Sequence, residues 1–126
     1  MRIALICFIC IFLSLSCAGE QRSIIAIQRE QFHDAPKYVN NMLKEALDCL
    51  HQADEYHKQG IAERKPLEQL KILRYAAYEY EDALAILVRI RKYVKDEVDI
   101  ERVEFLIKVS ETELCNVCNS MPVLTD

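Results

Sequence analysis

The sequence predicts an all-α protein, and three observations support this prediction. Apolar residues recur at steps of three and four along most of the chain, and no stretch alternates apolar and polar residues with period two. The three prolines, Pro36, Pro66 and Pro122, lie where helix boundaries are expected, because proline is tolerated in the first turn of a helix or beyond its end. We therefore expect a three-helix antiparallel bundle of long helices after a signal peptide and a short tether.

The chain begins with an apolar segment typical of a signal peptide. Residues 3–15 are apolar apart from Ser14, follow the single positive charge of Arg2, and give way to small and polar residues. A helix of that length covers about 20 Å, whereas the hydrocarbon core of a bilayer is about 30 Å thick. The segment is therefore too short to span a membrane, and we assign residues 1–16 to the signal peptide.

The signal peptide is followed by a cysteine in the stretch LSLSC, residues 13–17. This stretch resembles the lipobox of bacterial lipoproteins, and in particular the looser lipoboxes of spirochaete lipoproteins, since Ser14 replaces the common leucine three positions before the cysteine. The resemblance implies cleavage after Ser16, a diacylglycerol thioether on the sulfur of Cys17, and usually an acylated amino group. It implies a location in the bacterial cell envelope, with lipid holding the protein to a membrane.

The same residues leave two alternatives to lipidation. A signal peptidase selects small residues three and one positions before its cut, and both Ser16 and Ala18 meet this requirement. Cleavage at either position without lipid gives a freely secreted protein, and a retained leader is the remaining alternative. Residues 17–34, which include the stretch SIIAIQREQF, are expected to form a tether or a short helix.

The helical domain is expected at residues 35–120. Its first helix is predicted over residues 35–59, capped by Asp34 and terminated by Gly60 in the left-handed conformation. The predicted buried stripe of this helix contains Val39, Met42, Leu43, Ala46, Leu47, Leu50, Ala53 and Tyr56.

The second and third helices are predicted over residues 66–96 and 100–118, with Asp99 as the cap of the third. The second helix is predicted to bury Leu67, Leu70, Leu73, Ala77, Tyr80, Leu84, Leu87, Ile90 and Val94. The third is predicted to bury Val103, Leu106, Ile107, Ser110, Leu114 and Val117. Residues 121–126 are expected to form a flexible tail.

A short internal similarity links the first two helices. Residues 44–58 align with residues 81–95 at a spacing of 37 residues, near the roughly 34 of tetratricopeptide repeats. The stretch YEDALAIL resembles the second helix of such a repeat. The glycine-marked turn between paired short helices is absent, however, so a plain bundle of long helices is the preferred interpretation.

The stretch CNVC places Cys115 and Cys118 at the spacing of a redox pair or of half a zinc site. The pair lies at a helix C-terminus, where the dipole does not favour a thiolate, and a zinc site would need two further ligands. A structural disulfide or buried thiols are favoured, and an intermolecular disulfide, a metal site and a redox pair stay open. If Cys17 is lipidated, the mature protein keeps three cysteines, Cys49, Cys115 and Cys118, in an oxidising compartment. Because three is an odd number, one thiol would stay free or pair with another chain. We assign no cofactor and no metal ligand.

Tyr75 and Tyr78 lie one turn apart on the second helix, off its main apolar stripe. Exposed aromatic residues at that spacing suit the binding of a partner, and packing against a neighbouring element is the alternative. The sequence therefore marks both tyrosines as candidate partner-binding residues.

Composition excludes several classes of function. The net charge of −4 repels phosphate backbones, so nucleic acid is not an expected partner, and two glycines provide no phosphate-binding loop. The three histidines are scattered, and no serine or cysteine is visibly paired with a base, so we do not expect an enzyme. We expect a membrane-anchored lipoprotein whose helical domain binds or scaffolds a protein partner. The alternatives are a freely secreted helical protein, such as a disulfide-linked dimer, and a redox or metal protein that uses Cys115 and Cys118.

Overall fold

The computed structural model describes residues 31–124 of the chain. Within that range it contains three helices and no strand: α1 (Lys37–Ala62), α2 (Pro66–Arg91) and α3 (Glu97–Ser120). The predicted all-α class and the bundle of long helices are thereby confirmed. The predictions for the signal peptide, for Cys17 and for the last two residues of the tail lie outside the described residues.

The central helix of the bundle is α2, which packs against both α1 and α3. Contacts between Gly60 and Leu73, and between Tyr56 and Tyr75, show that α1 and α2 run in opposite directions. An ion pair between Arg91 and Glu104 joins the end of α2 to the first half of α3. Since α1 and α3 both oppose α2, they run parallel to each other.

The start and the end of α1 both differ from prediction. Pro36, not Asp34, precedes the helix, and its carbonyl accepts the N–H groups of Val39 and Asn40 at 3.0 and 3.2 Å. The helix continues through Gly60 to Ala62, and no glycine of the described residues has a positive φ. Gly60 is instead a buried helical residue, and its missing side chain lets α1 approach Leu73 of α2 closely.

The boundary between α2 and α3 lies earlier than predicted. Helix α2 starts at Pro66 as expected but ends at Arg91, after which Val94 packs back into the core. The cap of α3 is Asp96, whose carboxylate accepts the N–H groups of Val98 and Asp99 at 3.0 and 3.3 Å. Asp99 is therefore not the cap but a buried residue in the first turn.

Most of the predicted buried positions are buried. The exceptions occur on all three helices. Leu67 is 70% exposed, and six positions are only half-buried: Met42, Tyr56, Leu70, Leu84, Ile107 and Leu114. Because α2 must face two neighbouring helices, small residues on its flanks also become buried, which periodicity alone does not reveal. The buried residues of α2 are Leu73, Ala76, Ala77, Tyr80, Ala83, Leu87 and Ile90.

The segment that precedes α1 is attached to the start of α3 by an N-terminal clasp formed by residues 32–34, Asp99 and Arg102. The carboxylate of Asp99 accepts the backbone N–H groups of His33 and Asp34, each at 3.0 Å. The guanidinium of Arg102 lies 5.3 Å from the ring centre of Phe32, which is itself buried. The clasp determines where the chain enters the bundle, at the end where α1 and α3 begin.

Candidate binding face and thiol pair

Tyr75 and Tyr78, the predicted partner-binding residues, line a shallow groove of about 270 Å³ on α2. Six side chains form its walls, all from the first half of this helix: Leu67, Leu70, Lys71, Arg74, Tyr75 and Tyr78. Their positions are alternately three residues and one residue apart, which places them on one side of the helix. We refer to these six residues as the α2 face.

The two tyrosines differ in their surroundings. The ring of Tyr75 lies against Tyr56 of α1, with centroids 5.6 Å apart, and 45% of Tyr75 remains exposed. Tyr78 is 58% exposed, and no other aromatic ring of the described residues contacts it. Tyr75 thus both packs against a neighbour and stays accessible, whereas Tyr78 is directed to solvent.

The α2 face also carries positive charge, which the sequence analysis missed. Lys71 and Arg74 are exposed, and neither is ion-paired with a carboxylate among residues 31–124. They lie one turn and two turns after Leu67, so counting helical steps from that leucine could have placed them beside the tyrosines. The resulting surface combines aromatic, aliphatic and cationic groups in a chain whose net charge is −4.

Cys115 and Cys118 are free, exposed thiols in the last turns of α3. The helix continues past them to Ser120, whose hydroxyl donates to the carbonyl of Asn116 at 2.8 Å. The side-chain amide of Asn119 donates to the sulfur of Cys115 at 3.7 Å. The structure thus presents the two thiols to solvent one turn apart, without a bond between them.

The third described thiol, that of Cys49, has a different environment. It is half-buried on α1 beside carboxylates of α2. Burial, followed by the charge and hydrogen bonding of Glu79 and by the charges of Asp82 and Glu45, raises the pKa of Cys49 to about 11. A thiol reacts as its thiolate, so Cys49 is the least reactive of the three described cysteines at neutral pH.

A buried polar junction connects the three helices near the middle of α2. His57 Nδ1 of α1 lies 3.7 Å from Glu113 Oε2 of α3, and His57 Nε2 is buried without a hydrogen-bond partner in the described part of the chain. Tyr80 of α2 is buried here, and burial, then the charges of Glu113 and Asp54, raise its pKa. The three helices largely enclose this junction, in which the side chains of His57 and Glu113 are 13% and 21% exposed.

Two observations limit what the described residues can hold by themselves. Between residues 31 and 124, no three His, Cys, Asp or Glu side chains gather closely enough to hold a metal ion. None of the three helices combines the length and the apolar character needed to cross a bilayer.

No protein-family model, curated protein or solved structure matches this chain.

Proposed function

We propose that the protein is an exported lipoprotein of a bacterial cell envelope, held to a membrane by lipid on Cys17, and that its helical domain binds a protein partner. The observation that carries the binding role is the α2 face, where aromatic and aliphatic side chains are exposed to solvent and are not packed into the core. Support for the anchor comes from the resemblance of LSLSC to a lipobox.

The chemistry of the α2 face favours one class of partner. Tyr75, Tyr78 and Leu67 provide apolar contact area, and aromatic residues contribute strongly to binding at protein interfaces. Lys71 and Arg74 are available to pair with carboxylates. The proposed partner is therefore a protein segment that places an aliphatic or aromatic side chain next to Asp or Glu residues. An anionic lipid surface is disfavoured, because the chain as a whole is acidic.

The α2 face lies away from the end of the bundle where residues 32–34 enter it. The N-terminal clasp joins the incoming chain to the end of the bundle where α1 and α3 begin. The α2 face lies beside Tyr56, about 30 Å along the helix axis from Lys37, where α1 begins.

The anchor is tested by metabolic labelling in a bacterium. With labelled palmitate, the wild type should incorporate label and enter the detergent phase, because two or more acyl chains hold a protein stably to a membrane. Cys17→Ala should do neither. Equal labelling of both proteins would exclude the anchor, and soluble wild-type protein beginning at Gly19 would establish the secreted alternative.

The binding role is tested by photo-crosslinking in the native envelope, with a photoreactive phenylalanine analogue in place of Tyr78. Mass spectrometry should find it joined to a carboxylate-rich protein segment, and Lys71→Glu with Arg74→Glu should abolish the crosslink. A synthetic peptide of that segment should bind the purified protein more weakly as salt is raised. The matched control places the analogue at Tyr38, which is 55% exposed on α1 and should give no such product.

Two outcomes would contradict the binding role. Crosslinks to lipid alone would assign the α2 face to the membrane surface, and crosslinks unaffected by the charge reversal would remove the acidic segment as the partner. Circular dichroism of each variant verifies that the helices are intact, which is expected because all four substituted residues are exposed.

A further inference from the structure

The thiol pair of α3 has a spacing that the helix itself imposes. Residues three positions apart on a helix have Cβ atoms about 5 to 6 Å apart. A disulfide requires a Cβ separation of about 3.5 to 4.5 Å, so an internal bond between Cys115 and Cys118 would distort the last turns of α3. Both cysteines lie within α3, which continues to Ser120 before Met121 N–H donates to the carbonyl of Cys118 at 3.3 Å.

A bridging metal ion fits this spacing better than a disulfide does. Zinc binds thiolate sulfur at about 2.3 Å, so two sulfurs on one tetrahedral ion lie roughly 3.8 Å apart. Side chains whose Cβ atoms are one helical turn apart reach that separation without a change in the backbone. The intact helix therefore favours the sharing of an ion over the formation of a bond between the sulfurs.

We propose that Cys115 and Cys118 form half of a zinc site, which the same two residues of a second copy of the chain complete. Structural zinc takes four ligands, and the described residues of one chain offer no third ligand near the pair. Both thiols are exposed at the end of a helix, where the same end of another copy can approach about a twofold axis. Each of the four thiols releases its proton on binding, so no oxidant takes part.

The test uses the full chain, purified in detergent with a phosphine reductant and titrated with zinc. One zinc ion per two chains should bind, and native mass spectrometry should show a dimer that a chelator separates. Cadmium in place of zinc should give a thiolate-to-metal charge-transfer band in the ultraviolet. Cys115→Ser and Cys118→Ser should each lose the dimer and most of the metal affinity, whereas Cys49→Ser, the matched control, should retain both.

Three results would overturn the proposal. The first is wild-type protein that stays monomeric and metal-free under reducing conditions. The second is zinc binding that persists when both Cys115 and Cys118 are serine. The third is a dimer that forms only in air and disappears with reductant, since this would identify an intermolecular disulfide. Circular dichroism of the serine variants separates loss of the site from loss of the fold.

Discussion

The carboxylate of Asp99 accepts the backbone N–H of Asp34 at 3.0 Å, across 65 positions of sequence. Its other oxygen accepts the N–H of His33, also at 3.0 Å, and lies 3.9 Å from a guanidinium nitrogen of Arg102. Asp99 is fully buried, so these partners replace the water that its charge would otherwise need. One side chain of α3 thereby holds the chain that leads into α1.

Asp99→Ala is expected to lower the free energy of unfolding by about 3 kcal/mol, because it leaves the N–H groups of His33 and Asp34 without their acceptor and removes the negative charge that faces Arg102. Urea unfolding followed by circular dichroism measures the change. Asp96→Ala, the matched control, removes only the cap of α3 and should cost about 1 kcal/mol. Equal costs for the two variants would contradict the special role of Asp99.

Gly60→Ala is expected to destabilise the bundle, although alanine favours a helix over glycine by about 1 kcal/mol. A Cβ at this position would come within 2.5 Å of Leu73 Cδ2 and 2.7 Å of Leu73 Cγ, and Leu73 is fully buried. Overpacking of this kind costs about 1 to 3 kcal/mol, so the net loss should be up to about 2 kcal/mol.

A double-mutant cycle with Leu73→Ala tests the cause of the Gly60→Ala effect. The smaller side chain at position 73 makes room for the new Cβ, so Gly60→Ala should be neutral or stabilising in that background. A gain in stability from Gly60→Ala in the wild-type background would show that α1 and α2 tolerate a wider separation.

Leu87→Ala is expected to cost about 2 to 5 kcal/mol, because Leu87 is fully buried in the core and its truncation leaves a cavity. Leu84→Ala removes the same atoms from a half-buried position and should cost less than half as much. Thermal unfolding of the two variants makes the comparison. A larger loss of stability for Leu84→Ala than for Leu87→Ala would mean that α2 turns a different side toward its neighbours.

Alkaline pH is expected to destabilise the protein through Tyr80. In the unfolded chain a tyrosine ionises near pH 10, whereas burial and the charges of Glu113 and Asp54 raise the pKa of Tyr80 in the folded state. The unfolded state then loses the proton first. Stability is therefore complete below about pH 10 and falls as the pH rises above it.

Urea midpoints at about pH 8 and pH 11 test this effect in the Tyr80→Phe variant, whose loss of stability should be smaller than that of the parent. Tyr78→Phe, which changes an exposed tyrosine, is the control and should behave like the parent. All proteins carry Cys49→Ser, because the raised pKa of Cys49 produces a similar loss of its own. An identical pH dependence in all variants would remove Tyr80 as the cause.

The aromatic part of the proposed binding face was predicted from the sequence through two residues. Tyr75 and Tyr78 are off the main stripe of their helix, and both lie on its exposed side in the structure. Helical spacing places Lys71 and Arg74 near these tyrosines, but only the orientation of α2 shows that Leu67 is exposed beside them, because Leu67 also continues the apolar periodicity of the buried stripe. A pattern of apolar residues identifies which side of a helix is buried, but not which residues at the margin of that side are exposed.

The sequence by itself determined that the chain forms three long helices and most of the residues that each helix buries, since periodicity and the positions of proline are local properties. Only the tertiary structure decided the roles of Gly60 and Asp99. A glycine near the end of a helix and an aspartate near the start of one both match capping patterns. Their actual partners, Leu73 and the N–H groups of residues 33 and 34, lie on other segments of the chain. Contacts between distant segments depend on how the helices pack, and local pattern carries no information about that packing.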